Sequence, residues 1–260
     1  MSRATPLQTV RALAAGYGPR VFQVRGWVLA AIVLAPVGLM LAVSAAFALH
    51  GDALPPGSAL AVFHTILAKV ALPILALIAA PAGIREDLEQ RTLPLLLTRP
   101  APAWALPMGK GLSWFAWGAA WIIIATLGLQ ILGGDAGLLP GRIGALVGAW
   151  WGELAFVALL GLTFKRGTLW AALWLFGWEN LVAVFPPFLQ RLTFTHYIES
   201  LAGSRGHSVG ATELLAQAQV NTEPWLALVI LFLAGLVFWA ACGWKLHATP
   251  VGLAGSEAEG

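Results

Sequence analysis

The chain has 260 residues, of which 59% are hydrophobic and only 10% are charged, and its mean hydropathy is +0.80. Soluble proteins carry charge on about a quarter of their residues, so this composition excludes a soluble globular protein and predicts an integral membrane protein. The length provides for about six spans of ~20 residues and leaves no room for a separate soluble catalytic domain. We attribute the net charge of +3 to loop arginines that orient the chain and contact lipid, because no nucleic-acid-binding motif accompanies it.

Residues 1–25 are too polar to cross a membrane. A helix that begins at Pro6 would place Val10 and Leu13 on one side and Arg11 on the other, and the glycines and proline of 16–19 are expected to end it. This pattern predicts an interfacial amphipathic helix that leads into the first span, with a disordered basic leader as the alternative.

Six apolar stretches follow, each long enough to cross about 30 Å of hydrocarbon. They are residues 26–49, 59–84, 109–132, 143–164, 168–186 and 225–246. We therefore predict an all-α polytopic membrane protein, in which 26–247 form one six-helix transmembrane domain and 248–260 form a disordered tail.

Positive residues predict the orientation of these spans. With the N-terminus in the cytoplasm, only Arg142, Arg191 and Arg205 lie on the outside, while Lys69 lies within the membrane and the other positive residues of the assigned loops face the cytoplasm. Both termini are then cytoplasmic, and we expect the protein in the inner or plasma membrane of a prokaryote.

The long loop 187–224 lies on the external side in this orientation. Within it, Phe188–Leu201 and Ala211–Gln219 have the pattern of two short amphipathic helices. They are expected to cap the span ends at the surface or, alternatively, to form an external gate or a dock for an extracytoplasmic partner.

Residues 84–110 are the only densely charged segment between two apolar runs. Thr92 is suited to an N-cap and Pro94 to the first turn of a short apolar helix, which Thr98-Arg99-Pro100 would end. Such a cytoplasmic segment either only fixes the topology or docks on a soluble partner and transmits motion into the membrane.

This segment resembles the signature that follows the second helix of ABC-2 type transporter permeases. The resemblance is carried by Asp87-x4-Thr92-Leu93-x-Leu95-Leu96-Leu97-Thr98-Arg99-Pro100 and by Gly109-Lys110. The chain departs from the family pattern at Arg91, where glycine is usual, and at Pro94, where glutamate is frequent.

The resemblance implies a six-helix half-transporter that dimerises, with itself or with a similar permease, and works with two copies of a separate cytoplasmic ATPase. ATP and Mg would bind to that partner, and no cofactor would bind to this chain, which also lacks the Gly-x4-Gly-Lys-Ser/Thr phosphate loop. The resemblance implies an exporter of unidentified substrate and no catalysis by this subunit. Its coupling surface would consist of Asp87, Glu89, Arg91, Thr92, Leu95, Leu96, Leu97, Thr98 and Arg99.

Four polar residues within the spans, His64, Lys69, Glu153 and Glu179, form a candidate intramembrane path. A charge at the bilayer centre costs ~2.5–3.5 kcal/mol on insertion scales, so each charge needs a partner or water. Lys69 and Glu153 are both expected about 15 Å below the outer surface, so a pair of Lys69 with Glu153 or with Glu179 is geometrically feasible.

Such a pair would either fix helix packing or belong to a translocation path or proton site. The alternative functions are accordingly an ion-coupled secondary transporter or a membrane-embedded lipid enzyme that uses these residues. The spacing of histidine, cysteine and acidic residues predicts no metal site.

Overall fold

The computed structural model describes residues 6–50, 56–89, 102, 104–132, 136–182, 187–202 and 222–248. Within these ranges the chain is helical and contains no β-strand. The all-α class predicted from the sequence is therefore confirmed for the described part of the chain.

The helices follow one another along the chain and are numbered here in that order. They are α1 (Pro6–Val21), α2 (Val24–Leu49), α3 (Pro56–Ile66), α4 (Leu72–Glu89), α5 (Ala105–Ile131), α6 (Leu139–Thr163), α7 (Gly167–Ala172), α8 (Glu179–Leu181), α9 (Pro187–Gln190), α10 (Phe194–Ala202) and α11 (Pro224–Ala248). A π-helical turn at Leu67–Ala71 joins α3 to α4, and a second one at Leu173–Trp178 joins α7 to α8.

Five helical stretches are long and apolar enough to cross a membrane. They are Val24–Leu49, Leu60–Ala80, Ala105–Ile131, Leu139–Thr163 and Pro224–Ala248. Each coincides with a predicted span, so the protein is membrane-embedded. The remaining predicted span, 168–186, is helical from Gly167 to Leu181, and a crossing there stays a prediction.

Helix α6 lies at the centre of the bundle and packs against α4, α5, α10 and α11. Glycines on neighbouring helices make room for the tryptophans of α6. A Cβ built on Gly118 of α5 would lie 2.6 Å from the Trp150 ring, and one built on Gly235 of α11 would overlap the Trp151 ring. Small residues of this kind let helices approach closely in lipid, where the hydrophobic effect does not drive them together.

Helix α1 is docked on the start of α5, and its predicted place at the membrane interface stays a prediction. Ser113 Oγ donates a hydrogen bond to the carbonyl oxygen of Ala14 at 2.9 Å, and Lys110 Nζ lies 4.2 Å from the centroid of the Tyr17 ring. The helix continues to Val21, past the glycines and proline that were expected to end it.

The predicted loop helix Phe188–Leu201 is divided in the structure into α9 and α10, and α10 differs from its prediction as a surface element of an external loop. We call the end of the bundle near Leu49 and Leu139 the outer end, after the predicted orientation. At the end of α10, the Leu201 carbonyl oxygen lies 2.6 Å from a Cβ built on Gly141, in the first turn of α6 at that outer end. At its start, the Phe194 ring lies 2.7 Å from a Cβ on Gly152, near the middle of α6.

Helix α10 therefore runs from the middle of the bundle to its outer end. It packs against α6 and α11, and its residues His196, Ile198 and Ala202 are buried. The reason is its strongly one-sided apolar pattern, which is satisfied equally well by a neighbouring helix and by a membrane surface. The second predicted loop helix, Ala211–Gln219, lies outside the described residues.

Candidate functional site

A small polar cavity lies inside the bundle where α6, α8, α10 and the first π-helical turn meet. Its volume is about 10 Å³, which is the space of about one water molecule. Its polar lining consists of Lys69, Glu153, Glu179, Asn180 and Thr195. Three of the four predicted intramembrane polar residues thus come together in one place.

The ion pair of Lys69 differs from the predicted one. Lys69 Nζ lies 2.8 Å from Glu199 Oε1, and both side chains are one-third exposed. The predicted partners, Glu153 and Glu179, line the cavity but form no such bridge with Lys69 among the described residues. The sequence pattern did not indicate Glu199 as the partner, because it predicts the helix of Glu199 at the surface. In the structure α10 lies inside the bundle and places Glu199 beside Lys69.

Glu179 binds the first turn of α10. Its Oε1 accepts a hydrogen bond from the Phe194 N–H at 2.9 Å, and its Oε2 accepts one from the Thr195 N–H at 2.9 Å and one from Thr195 Oγ1 at 2.6 Å. Thr193 Oγ1 accepts a further one from the N–H of His196 at 3.3 Å, as an N-cap residue does.

The free N–H groups at the start of α10 are therefore satisfied inside the bundle. A carboxylate is also favourable at the positive end of a helix. Glu179 thus has a clear role in holding α10 at this depth.

Glu153 is the least satisfied member of the cavity. Its side chain is 2% exposed, and its Oε2 has no hydrogen-bond partner among the described residues. Buried polar oxygens are normally paired, because losing hydration without a replacement costs free energy. This oxygen marks the cavity as a place for a water molecule or a small cation.

Two π-helical turns contribute to the walls of this cavity. Ala68 and Lys69 belong to the first and Leu175 to the second. Pro73 has no N–H to bond the Lys69 carbonyl oxygen, which favours a wider turn there, and the Leu72 N–H bonds instead to Leu67 O. Such turns occur frequently at functional sites.

His64, the fourth predicted residue, does not line the cavity. It is buried toward the outer end, in electrostatic contact with Arg142. Arg142 Nη1 donates a hydrogen bond to Gln130 Oε1 at 2.9 Å. The structure therefore separates His64 from the other three residues of the predicted path.

The predicted coupling residues fall at the edge of the described chain. Asp87 and Glu89 lie in the last turns of α4, of which the structure describes the backbone only. The others, Arg91, Thr92, Leu95, Leu96, Leu97, Thr98 and Arg99, lie outside the described residues. Helix α4 nevertheless connects the first π-helical turn to Glu89 without interruption.

Within the described ranges, no group of three or more histidine, cysteine or acidic residues is arranged to hold a metal ion. The cavity therefore offers carboxylates, one ammonium group and hydroxyl or amide groups, but no metal centre of that kind. No protein-family model and no curated protein sequence matches the chain.

Proposed function

We propose that this chain is the permease subunit of an ATP-driven transporter of the ABC-2 type, coupled to a separate cytoplasmic ATPase through residues 84–100. In this proposal the protein is an exporter, acts as a dimer with six spans per chain, and has both termini in the cytoplasm. It would not itself catalyse a reaction.

The observation that carries the proposal is the continuous helical run from Pro56 to Glu89. This run, which we call the rod, carries Lys69 at the polar cavity and Asp87 and Glu89 at its far end. At 1.5 Å per residue, Glu89 lies about 30 Å along the helix from Lys69. If a partner displaces segment 84–100, the movement would therefore be transmitted through one helical run to Lys69 at the cavity.

The helices that pack against this run also support the proposal. Helix α4 packs extensively on α6, which carries Glu153, so a tilt of α4 acts directly on the central helix. The first π-helical turn is a natural place for that tilt, since it has already lost regular α-helical bonding. ATP binding to the partner would supply the difference in affinity for two states that such a change requires.

The proposal is tested by purifying the chain from its native membrane in mild detergent and identifying co-purifying ATPases. We expect a phosphate-loop ATPase in stoichiometric amount, and we expect Glu89→Ala and Leu96→Ala to reduce it. Glu223→Ala, an exposed acidic residue at the opposite end of the bundle, is the matched control and should leave the partner bound. A chain that purifies alone in several detergents would refute the proposal.

A second candidate function is ion-coupled transport by this chain alone. It is favoured by the position of Lys69, Glu153 and Glu179 around one cavity with an unpaired carboxyl oxygen. Reconstitution without any ATPase distinguishes the two: uptake driven by a proton or sodium gradient, and lost in Glu153→Gln, would favour the second candidate.

A further inference from the structure

The turn between α9 and α10 places an arginine on the outer surface of the bundle, at the height of its middle. Arg191 immediately precedes Leu192, Thr193 and the first residue of α10, Phe194, whose ring lies against Gly152 near the middle of α6. The charge pattern predicts Arg191 on the external side, so its depth is a finding of the structure.

A cavity of about 170 Å³ opens beside this turn. Its walls come from α6, the second π-helical turn, α10 and α11, and residues from Ile230 to Phe238 place it at the middle of α11. Helices α6 and α11 therefore place the cavity at the same height along the bundle. This height corresponds to the membrane interior rather than to its surface.

The inner wall of this cavity is aromatic. Phe156 contacts three of its other rings: Trp174 at a centroid distance of 5.6 Å, Phe194 at 6.2 Å and Phe238 at 5.4 Å. On the outside, α11 continues the apolar surface through Phe232, Leu233 and Val237, which are 53%, 51% and 64% exposed. In a membrane this face is covered by acyl chains.

The rim of the cavity is cationic. The Arg191 side chain is exposed and forms no salt bridge with another described residue, while its carbonyl oxygen accepts a hydrogen bond from Tyr197 Oη at 2.7 Å. Tyr197 thus fixes the backbone that presents the guanidinium group. An arginine at this depth is costly unless an anion or water accompanies it.

The anion could come from a second copy of this chain. However, none of the described acidic residues at this depth is available to pair with Arg191. Glu153 and Glu179 are buried, and Glu199 is bound to Lys69. The surrounding medium does offer it, because anionic lipids combine an acyl chain with a phosphate or carboxylate, and a guanidinium group binds both through paired hydrogen bonds.

We propose that the cavity beside Arg191 binds one anionic lipid from the surrounding bilayer, entering sideways between α10 and α11. The phosphate or carboxylate lies on Arg191, and the acyl chain lies on the aromatic wall and along α11. The site is independent of the proposed coupling to an ATPase, since it shares no residue with segment 84–100.

The test is native mass spectrometry of the full chain released from nanodiscs that contain phosphatidylglycerol, oleate or only phosphatidylcholine. We expect one retained anionic lipid per chain and no comparable retention of phosphatidylcholine. Retention of phosphatidylglycerol assigns a phosphate ligand and retention of oleate a carboxylate ligand. Displacement by inorganic phosphate in solution would overturn the assignment to a lipid.

Two variants separate the charge from the cavity. Arg191→Gln removes the cation, whereas Ala234→Phe fills the cavity and keeps the cation. Each variant should weaken lipid retention by about tenfold. The first loses one charge-assisted contact, and the second loses the apolar site for the acyl chain. Arg166→Gln, at the exposed turn before α7, is the control for general attraction of anionic lipids and should change nothing.

Equal retention by wild type and Arg191→Gln, or equal losses in Arg191→Gln and Arg166→Gln, would refute the site. Folding of each variant is checked with the buried thiol of Cys242, which should remain unreactive in the folded chain. A variant that loses this protection is replaced by Arg191→Lys, which keeps the charge but not the paired geometry and should bind more weakly than wild type.

Discussion

Lys69 and Glu199 are joined by a 2.8 Å salt bridge between the first π-helical turn and α10. The bridge connects the rod that ends at Glu89 with the short helix that descends from the outer end of the bundle. Two elements far apart in sequence are thereby coupled beside the polar cavity.

We expect this pair to contribute modestly to stability, because both side chains are one-third exposed. Lys69→Met and Glu199→Gln should each lower the unfolding temperature in detergent, and the double variant should lose less than the sum. A coupling free energy of about 0.5–1 kcal/mol is expected for a pair of this exposure. Strict additivity of the two changes would show that the bridge does not form.

Glu179→Gln should destabilise the protein more than either change at that pair. The carboxylate accepts three hydrogen bonds from the start of α10, and an amide can neither accept all of them nor balance the helix end. We expect a loss of about 1.5–3 kcal/mol in unfolding free energy, measured by thermal or denaturant unfolding in detergent.

The control for that experiment is the adjacent residue. Asn180 Nδ2 donates a hydrogen bond to the carbonyl oxygen of Phe176 in the second π-helical turn, and the residue is exposed. Asn180→Ala should therefore change stability by less than about 0.5 kcal/mol. A similar loss in both variants would mean that Glu179 does not hold α10.

Two glycines of α6 provide a matched pair for testing the seat of α10. A Cβ on Gly152 would lie 2.7 Å from the Phe194 ring, whereas one on Gly161 would meet nothing within 4 Å. Gly161→Ala should be neutral or stabilising by up to about 1 kcal/mol through helix propensity. Gly152→Ala should destabilise by about 1–3 kcal/mol through overpacking.

Unfolding temperatures of the two variants in the same detergent provide the measurement. If Gly152→Ala is as stable as Gly161→Ala, then Phe194 does not pack at the middle of α6 and α10 does not lie as deep as described.

Cys242 provides a reporter for all these variants. It is the only cysteine of the chain, and its side chain is fully buried in α11. A maleimide should label the folded protein at least about a hundredfold more slowly than the denatured protein, since opening must precede reaction. Rapid labelling under native conditions would contradict the packing of α11 against its neighbours.

The apolar runs were sufficient to predict the helices, because a hydrocarbon thickness imposes a minimum length that few other segments satisfy. Five predicted spans coincide with candidate membrane-crossing helices to within a few residues. The amphipathic pattern of Phe188–Leu201 indicated a helix, but neither its division into α9 and α10 nor what covers the apolar face of α10. The partner of Lys69 therefore could not be predicted, since Glu199 was assigned to the surface.

The sequence contains one local signal for the distortion at Lys69. Pro73 follows Lys69 by one turn and leaves its carbonyl oxygen without the usual donor, so a distorted turn at Lys69 was predictable. The distortion at Leu173–Trp178 has no such proline within it, so the same local signal did not predict it. The coupling residues 91–99 stay a prediction.

The depth of the turn at Arg191–Thr193 has a consequence for biosynthesis. Its backbone cannot enter hydrocarbon alone, because the Phe194 and Thr195 N–H groups that follow it need Glu179 as their acceptor, and the cavity beside it has walls from α6 and α11. Helix α11 follows α10 in the chain and leaves the ribosome after it, so the turn acquires a complete seat only once α11 has been synthesised. A chain truncated before Pro224 would insert its earlier helices and leave α10 without one of its walls.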